Sequence, residues 1–192
     1  PGGGSGAGIS IGANSNALSI SGNYLYGNGN GIEMVGGQSL TLIDRNFIFA
    51  NYNCGVVLNS GPTQTQVTHN QIFNNGGVSY SYGVLLQSVS YNFIRGNTLY
   101  GNGTGIGISG NSTFNTIYDN DLVNTLSVSG NSNLLVGNRV HGTSDFDGIY
   151  KLPAATNLNT LIAESIYGNA SPAFYVRAST LNVCAACRIG LS

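Results

Sequence analysis

The only cluster of ionisable residues in this chain lies between residues 119 and 151. The candidates for catalysis there are Asp119, Asp121, Arg139, Asp145 and Asp147, with His141 and Lys151 nearby. A hydrolase needs two carboxyl groups at a defined separation, and a lyase needs acidic residues for a cation and an Arg or Lys base. The same residues also fit structural roles, as an ion pair between Asp121 and Arg139 and as turn residues before Gly148.

The three cysteines point to disulfide chemistry more than to a metal site. Cys184 and Cys187 have the spacing of a redox pair, half a metal site or a local disulfide, and Cys54 is distant in sequence. A closed zinc site needs four ligands, and copper would need a Met or His cluster that the sequence lacks. We expect an oxidising environment with Cys184 bonded to Cys187 or Cys54, and no cofactor apart from weakly indicated Ca²⁺ at Asp145 and Asp147.

The candidate residues are carried by a sequence that repeats about every 23 residues. The unit is an apolar residue, two variable residues, Asn, one variable residue and then Ile, Leu or Val. The repeated asparagines are Asn23, Asn46, Asn70, Asn97, Asn120 and Asn138, and Glu164 replaces Asn in a seventh copy. A second element, Gly-apolar-x-apolar, follows most copies. Both elements alternate with a period of two, which predicts short strands with one buried face.

Short strands at a fixed period predict a β-solenoid of two or three strands per coil, in which each coil buries its apolar face against its neighbours. The repeated asparagines are predicted to form a hydrogen-bonded ladder, because an amide side chain donates to one coil and accepts from the other. We expect residues 14–176 to form the solenoid. Residues 1–13 are a Gly- and Ser-rich linker or an added strand, and residues 177–192 form a C-terminal segment with the paired cysteines.

The pattern resembles the right-handed parallel β-helix repeats of the pectate-lyase-like superfamily, in particular the NosD-like, periplasmic copper-binding-like repeats. The resemblance implies an all-β fold, a single-stranded right-handed parallel β-helix of about seven or eight coils. That superfamily includes polysaccharide lyases, hydrolases, epimerases, phage tailspikes, adhesins and surface-layer components. The catalytic motifs of polygalacturonase-like and alginate-epimerase-like members are absent from this sequence, so the resemblance carries over no catalytic residue.

One outward column of the predicted solenoid is aromatic. Three places after the ladder position stand Tyr26, Phe49, Phe73, Tyr100, Val123, His141 and Tyr167. An exposed aromatic stripe would bind sugars by stacking or form a protein interface. The alternative is a stack tucked under a neighbouring turn that contributes only to stability.

The second strand of the repeat predicts another outward column, which contains several apolar residues. Its members are Glu33, Val57, Leu85, Gly107, Ser127, Tyr150 and Tyr175. We interpret Val57, Leu85, Tyr150 and Tyr175 as a lateral assembly face, unless a terminal segment covers them.

Charged residues make up 7% of the chain, against roughly 25% in an average domain, and the formal net charge is −1. Six scattered basic residues disfavour nucleic-acid binding, and no apolar run is long enough to span a membrane. A surface this poor in charge suits contacts with copies of the same chain or with neutral glycans.

These observations predict an extracellular, non-catalytic β-solenoid at a cell or virion surface that self-associates into a filament, sheath or surface assembly. The alternative is a carbohydrate-binding or polysaccharide-active module, lyase-like or hydrolase-like, including a fragment of a phage tailspike. An enzyme of that kind would use the cluster between residues 119 and 151.

Overall fold

The computed structural model describes residues 6–76, 81–123, 125–142, 150–152, 157–168, 174–176 and 180–190. This part of the chain consists of 24 short β-strands and contains no helix, so none there could cross a membrane. The strands form three parallel sheets that the chain visits in turn, one strand per sheet in each coil. The predicted all-β solenoid is confirmed, with coils of commonly 23 residues and three strands each.

The three sheets contain eight strands each. Sheet A is formed by β1 (Ala7–Ile11), β4 (Asn30–Val35), β7 (Val56–Asn59), β10 (Tyr82–Gln87), β13 (Thr104–Ser109), β16 (Leu126–Val128), β19 (Tyr150–Leu152) and β22 (Phe174–Val176). Sheet B is formed by β2 (Ser19–Ser21), β5 (Leu42–Asp44), β8 (Gln66–Thr68), β11 (Phe93–Arg95), β14 (Thr116–Tyr118), β17 (Leu134–Val136), β20 (Thr160–Ile162) and β23 (Val183–Ala185). Sheet C is formed by β3 (Tyr24–Tyr26), β6 (Phe47–Phe49), β9 (Gln71–Phe73), β12 (Thr98–Tyr100), β15 (Asp121–Val123), β18 (Arg139–His141), β21 (Ser165–Tyr167) and β24 (Arg188–Gly190).

The core is a set of apolar columns that run the length of the solenoid. The central residue of most strands in sheets B and C is buried, as for Ile94 in β11 and Leu99 in β12. Parallel pairing places Ile94 beside Val67 of the coil before and Ile117 of the coil after. Because the register is the same at every step, each apolar residue packs against its equivalents and the core is continuous.

The glycine of the second repeat element permits close approach of successive coils. A Cβ atom on Gly55 would lie 2.6 Å from the carbonyl oxygen of Gly83, and one on Gly83 would lie 2.7 Å from that of Gly105. No side chain fits at that distance, which explains why the element begins with Gly.

Three sharp corners join the sheets, and each has a position that recurs from coil to coil in the left-handed region, with φ between 52° and 70°. The connection from sheet A to sheet B holds further left-handed residues, such as Ser60 and Ser88. The B–C corner holds Gly22, Arg45, His69, Gly96, Asp119, Gly137, Ala163 and Ala186. The C–A corner holds Gly27, Ala50, Asn74, Gly101, Gly142 and Gly168 among the described residues. The A–B corner holds Ala17, Leu40, Gln64, Tyr91, Phe114, Ser132, Leu158 and Leu181.

An asparagine ladder follows each corner. In the B–C ladder, which contains all six predicted asparagines, the Asn97 side chain donates to Asn120 Oδ1 at 3.0 Å and to the Val67 carbonyl at 2.8 Å. Its Oδ1 accepts from the backbone and side-chain nitrogens of Asn70. The other ladders are formed by Asn28, Asn51, Asn75 and Asn102, and by Asn92, Asn115, Asn133, Asn159 and Asn182. The ladders satisfy buried polar groups that would otherwise destabilise the corners.

The solenoid extends beyond residues 14–176. Strand β1 adds a strand to sheet A at the N-terminal end, and β23 and β24 continue sheets B and C at the other end.

One predicted position is wrong. Tyr150 pairs with Leu126, which is an inward position, whereas Lys151 pairs with Ser127 and Tyr175 in the outward column. The spacing from Gly148 misled the prediction, because the column lies two residues after Gly105 but three after Gly148.

Candidate functional site

The predicted ionisable cluster lies partly together on the outer face of sheet C. Asp121 Oδ1 lies 2.8 Å from His141 Nε2, and Asp121 Oδ2 lies 3.8 Å from an Arg139 guanidinium nitrogen. Arg139 Nε donates to the Tyr167 hydroxyl, and the rings of His141 and Tyr167 stack with centroids 5.2 Å apart. We call these four residues the sheet C cluster.

The sheet C cluster satisfies its own charges. The Tyr167 hydroxyl and the Asp121 carboxylate raise the pKa of Arg139, which therefore stays protonated. The Asp121 side chain is 44% exposed, so the ion pair is well solvated and contributes little. Asp119 is exposed in the B–C corner, and Asp145 and Asp147, with the suggested Ca²⁺ position, lie outside the described residues. The arrangement matches the predicted ion pair between Asp121 and Arg139 more closely than a catalytic pair of carboxylates.

The aromatic column forms a stack on the outer face of sheet C. The rings of Tyr26, Phe49, Phe73 and Tyr100 stack in sequence, with centroids 4.9–5.2 Å apart and planes within 14°. Each inner ring therefore presents its edge to solvent, because both faces are against neighbouring rings. Since sugars stack on ring faces, this geometry favours a stabilising role over a sugar-binding platform.

The outward column of sheet A is less accessible than an assembly face requires. Val57 is 6% exposed and Leu85 is half-buried. A Cβ atom on Gly107 would lie 2.6 Å from Tyr82 Cδ1, so the Tyr82 ring lies over this face. The predicted assembly role of Val57 and Leu85 is therefore not favoured, since a side chain of the same molecule already covers part of the column.

The cysteines adopt one of the predicted pairings. Cys184 and Cys187 form a disulfide with Cα atoms 6.2 Å apart, and Cys54 is a buried free thiol. Burial raises the pKa of Cys54, which keeps the thiol protonated and unreactive.

A groove of about 390 Å³ lies on the outer face of sheet B, within the size range of ligand sites. We call it the sheet B groove. It is lined by Leu42, Asp44, Arg45, Gln66, Thr68, His69, Phe93, Arg95 and Tyr118. These residues come from four successive coils, so a ligand in the groove would extend along the solenoid.

The buried carboxylate of Asp44 lies at the base of the groove. Its Oδ1 accepts from the Thr68 hydroxyl at 2.7 Å and lies 3.0 Å from His69 Nδ1, while its Oδ2 lies 2.6 Å from an Arg45 guanidinium nitrogen. Burial opposes ionisation, but the hydrogen bonds from Thr68 and His69 and the charge of Arg45 outweigh it and lower the pKa of Asp44. Asp44 is therefore an ionised, fixed group at neutral pH.

The ionised Asp44 determines the tautomer of His69. A carboxylate only accepts hydrogen bonds, so Nδ1 carries the proton and Nε2 of a neutral imidazole keeps its lone pair. The ring lies beside Gly96 of the next coil, where a Cβ atom would come within 3.0 Å of His69 Cδ2, so glycine leaves room for the imidazole. His69 is thus an oriented base, half exposed at the groove.

Arg95, Tyr118 and Phe93 provide the remaining recognition groups. The Arg95 guanidinium lies over the Tyr118 ring, 4.6 Å from its centroid, and contacts no carboxylate in the described part of the chain. Phe93 is 46% exposed, and its register partners Gln66 and Thr116 are not aromatic. Its ring faces, unlike those of the sheet C stack, are not covered by aromatic neighbours in its column.

None of the residues of the sheet B groove was predicted as a site residue. The signal was in the repeat: the two variable positions between the apolar residue and the ladder asparagine hold Asp44 and Arg45, then Thr68 and His69. Parallel coils place these pairs side by side, although they are 24 residues apart in sequence.

Comparisons with known proteins give one family and several similar folds. The family model described as periplasmic copper-binding protein (NosD) matches residues 3–134. The crystal structure of DFA-IIIase from Arthrobacter chlorophenolicus A6 in complex with GF2 has a TM-score of 0.75 and 17% identity, covering 93% of this chain and 50% of that one. The periplasmic alginate epimerase AlgG has a TM-score of 0.67 and 22% identity, covering 97% of this chain and 42% of that one.

At these identities the similar structures establish the fold alone. The chain spans half or less of the length of each of the two, and no curated protein matches it. The described residues also do not fit a copper site. Among them no three His, Cys, Asp or Glu side chains are placed so that they could hold a metal ion, and Met34 is buried in the core.

Proposed function

The chain belongs to the NosD family of periplasmic copper-binding proteins, and from this fold and its surface we propose that it binds an acidic carbohydrate in the sheet B groove. The observation that carries the proposal is the combination in one groove of an open aromatic face, a guanidinium without a carboxylate partner among the described residues, and an imidazole oriented by Asp44. These are the groups that recognise a sugar ring, its acidic substituent and its hydroxyls.

An acidic sugar suits the charge of the groove better than the neutral glycans expected from composition. Asp44 is paired with Arg45, while Arg95 has no carboxylate partner among the described residues. The groove therefore has one positive charge in excess when His69 is neutral. A carboxylate on the ligand would complete the pair with Arg95 and could also accept from His69 when that ring is protonated.

Two proteins with similar folds support the carbohydrate class without fixing the sugar. One is an alginate epimerase, and the other, DFA-IIIase, has a structure in complex with DFA-III. The NosD family and the epimerase are both described as periplasmic, which supports a place in the cell envelope or outside the cell. A non-catalytic filament, sheath or surface assembly remains a separate hypothesis without direct support.

The experiment is a calorimetric titration of the purified chain at two salt concentrations. The ligands are short oligouronates and neutral oligosaccharides of the same length. We expect binding of the oligouronate that weakens at higher salt, because the contact with Arg95 is electrostatic. The neutral oligosaccharides should bind at least tenfold more weakly. Equal affinities for acidic and neutral chains, or binding of neither, would contradict the proposal.

The substitution Phe93→Ser tests the stacking contact independently. The affinity for the oligouronate should fall because the variant lacks the ring that stacks on the sugar. The stability of the fold should stay the same because Phe93 is exposed and lies outside the core. The matched control is Tyr24→Ser, which removes an exposed aromatic ring from sheet C. If both variants bind like the original chain, the ring face of Phe93 does not contact the sugar.

A further inference from the structure

The outer face of sheet B changes in character along the solenoid. The outward residues of β5, β8 and β11 line the sheet B groove and include Asp44 and Arg95. The outward residues of β17, β20 and β23 carry no charge, and Thr160 is the only one of them with a hydroxyl group. Both halves belong to the same columns, because the register is unbroken from Leu42 to Val183. The groove therefore continues directly into an apolar surface.

Six apolar side chains define this second half, which we call the apolar strip. They are Leu134, Val136, Ile162 and Val183 on the outer face of the sheet, and Phe114 and Leu158 at the A–B corner beside it. Val136 is half-buried, and the other five are 37–53% exposed. An exposed apolar surface that adjoins a groove is typical of a site that binds an apolar group.

The apolar strip is not a general property of these coils. On the outer face of sheet C, the aligned residues of β15, β18 and β24 include Asp121, Arg139 and Arg188. The same part of the solenoid is thus charged on sheet C and uncharged on sheet B. The low charge of the whole chain does not account for this difference, so the strip requires a reason of its own.

We propose that the ligand of the sheet B groove is an amphiphile, in which an acidic sugar occupies the groove and an attached hydrocarbon chain lies along the apolar strip. This inference rests on the proposed function and narrows the ligand to an acidic sugar that carries a lipid. A longer polysaccharide fits the strip poorly, because its hydroxyl groups would lose hydrogen bonds to water and find few partners there. A hydrocarbon chain has no such groups, and the removal of apolar surface from water favours its binding.

The strip has the length and direction that a hydrocarbon chain requires. From Tyr118, at the end of the groove, the sheet continues through three more strands to β23, about 14 Å at the usual strand spacing. This distance accommodates an octyl chain. The B–C corner beside the strip holds only the small residues Gly137, Ala163 and Ala186, so that side is open, whereas Phe114 and Leu158 flank the other side.

The test is calorimetry with a short oligouronate, with the same oligouronate carrying an octyl group at either its reducing or its non-reducing end, and with an octyl derivative of a neutral oligosaccharide. Whichever way the sugar lies, one of the two octyl oligouronates directs its tail along the strip. All are used below the concentration at which they form micelles. We expect this probe to bind at least tenfold more tightly than the free oligouronate, since each methylene removed from water favours binding by up to about fourfold. The octyl derivative of the neutral sugar should bind more weakly, because it lacks the contact with Arg95.

The double variant Leu134→Thr with Ile162→Thr locates the tail. Threonine already stands beside Leu134 in its column, at Thr116 and Thr160, and it suits a strand, so we expect the fold to be retained. The variant should lose the gain from the octyl group and keep the original affinity for the free oligouronate. The matched control Val35→Thr removes an exposed apolar side chain from sheet A and should bind every probe like the original chain.

A gain of less than tenfold for both octyl oligouronates, or a gain that the double variant retains, would overturn the inference while oligouronate binding itself stands. Equal affinities for the octyl derivatives of the acidic and the neutral sugar would also overturn it, because the strip would then act without the groove. Should the double variant fail to fold, Ile162→Thr provides the same test with one change. Absence of oligouronate binding in the original chain would instead contradict the proposed function.

Discussion

The outer faces of sheets B and C each carry an aspartate, a histidine, an arginine and a tyrosine, but the two sets are arranged differently. In the sheet C cluster, Asp121 pairs with His141 and Arg139, and Arg139 also contacts Tyr167. In the sheet B groove, Asp44 is buried and paired with Arg45 and His69, while Arg95 lies over Tyr118 without a carboxylate partner among the described residues.

The difference teaches that residue type alone does not identify a site on a solenoid. The sheet C cluster contains one carboxylate and one arginine that neutralise each other on an exposed face. The sheet B groove contains a second arginine that extends the charged set into the next coil. A ligand can use a charge that has no partner within the protein, whereas a self-neutralised pair offers little.

Asn97→Ala should give the largest effect, because this residue supports the corner between the two faces. The change removes the acceptor for two Asn70 nitrogens and the hydrogen bonds that Nδ2 donates to three oxygens, in a fully buried position. We expect a loss of about 3–5 kcal/mol in the free energy of unfolding, measured in urea. The control Asn111→Ala alters an exposed residue and should cost less than about 0.5 kcal/mol. Similar losses for the two variants would show that the ladder is not a main source of stability.

Asp44→Asn and Asp121→Asn compare the two carboxylates directly. Asp44→Asn removes the charge that strengthens the hydrogen bonds of the buried Oδ1 with Thr68 and His69, so we expect a loss of about 1–3 kcal/mol at neutral pH. The same change at the half-exposed Asp121 should cost less than about 1 kcal/mol. The measurement is the free energy of unfolding of both variants by chemical denaturation. Equal losses would show that the two carboxylates do not differ in their contribution to stability.

The stability contributed by Asp44 should depend on pH in a defined direction. The folded pKa of Asp44 lies below its ordinary value of 3.8, so its contribution is complete above that value. It is lost as the pH falls through the folded pKa. Unfolding curves of the original chain and Asp44→Asn should therefore converge as the solution is made more acid. A difference that is constant from neutral to strongly acid pH would contradict the lowered pKa.

Gly96→Ala and Gly22→Ala should both have small effects on stability, and their comparison tests the role of His69 in binding. Both glycines have left-handed backbone, so each change should cost about 1 kcal/mol. Only the new methyl group at residue 96 meets the His69 ring, whereas that at residue 22 meets open space. Oligouronate affinity should fall for Gly96→Ala alone. An equal fall in both variants would indicate a general effect of strain at the corner.

The repeat predicted the solenoid and the B–C ladder because both depend on a residue type at a fixed spacing. The other two ladders were not predicted, because threonine replaces asparagine at some of their positions and interrupts the repeat. Thr41 and Thr65 stand in the column of Asn92, and Thr125 stands in the column of Asn102. The aromatic column was found by its spacing, but the orientation of its rings depends on contacts between coils. Tyr150 was assigned to the wrong column because the outward residue follows Gly148 by three positions, whereas it follows Gly105 by two.

The sheet B groove could not be predicted for a related reason. Its residues occupy the variable positions of the repeat, and their pattern emerges only when four coils are placed in register. The burial of Asp44 and the tautomer of His69 depend on neighbours from adjacent coils, which spacing within one repeat does not reveal.

The most direct test of the account is the binding of a short oligouronate to Arg95→Gln and Arg139→Gln, measured by calorimetry beside the original chain. Each variant removes one guanidinium that lies over a tyrosine ring, at Tyr118 in the groove and at Tyr167 in the sheet C cluster. We predict at least tenfold weaker binding for Arg95→Gln, about 1.4 kcal/mol, and unchanged binding for Arg139→Gln. Equal affinities in both variants, or a loss only in Arg139→Gln, would contradict the assignment of the ligand site to sheet B.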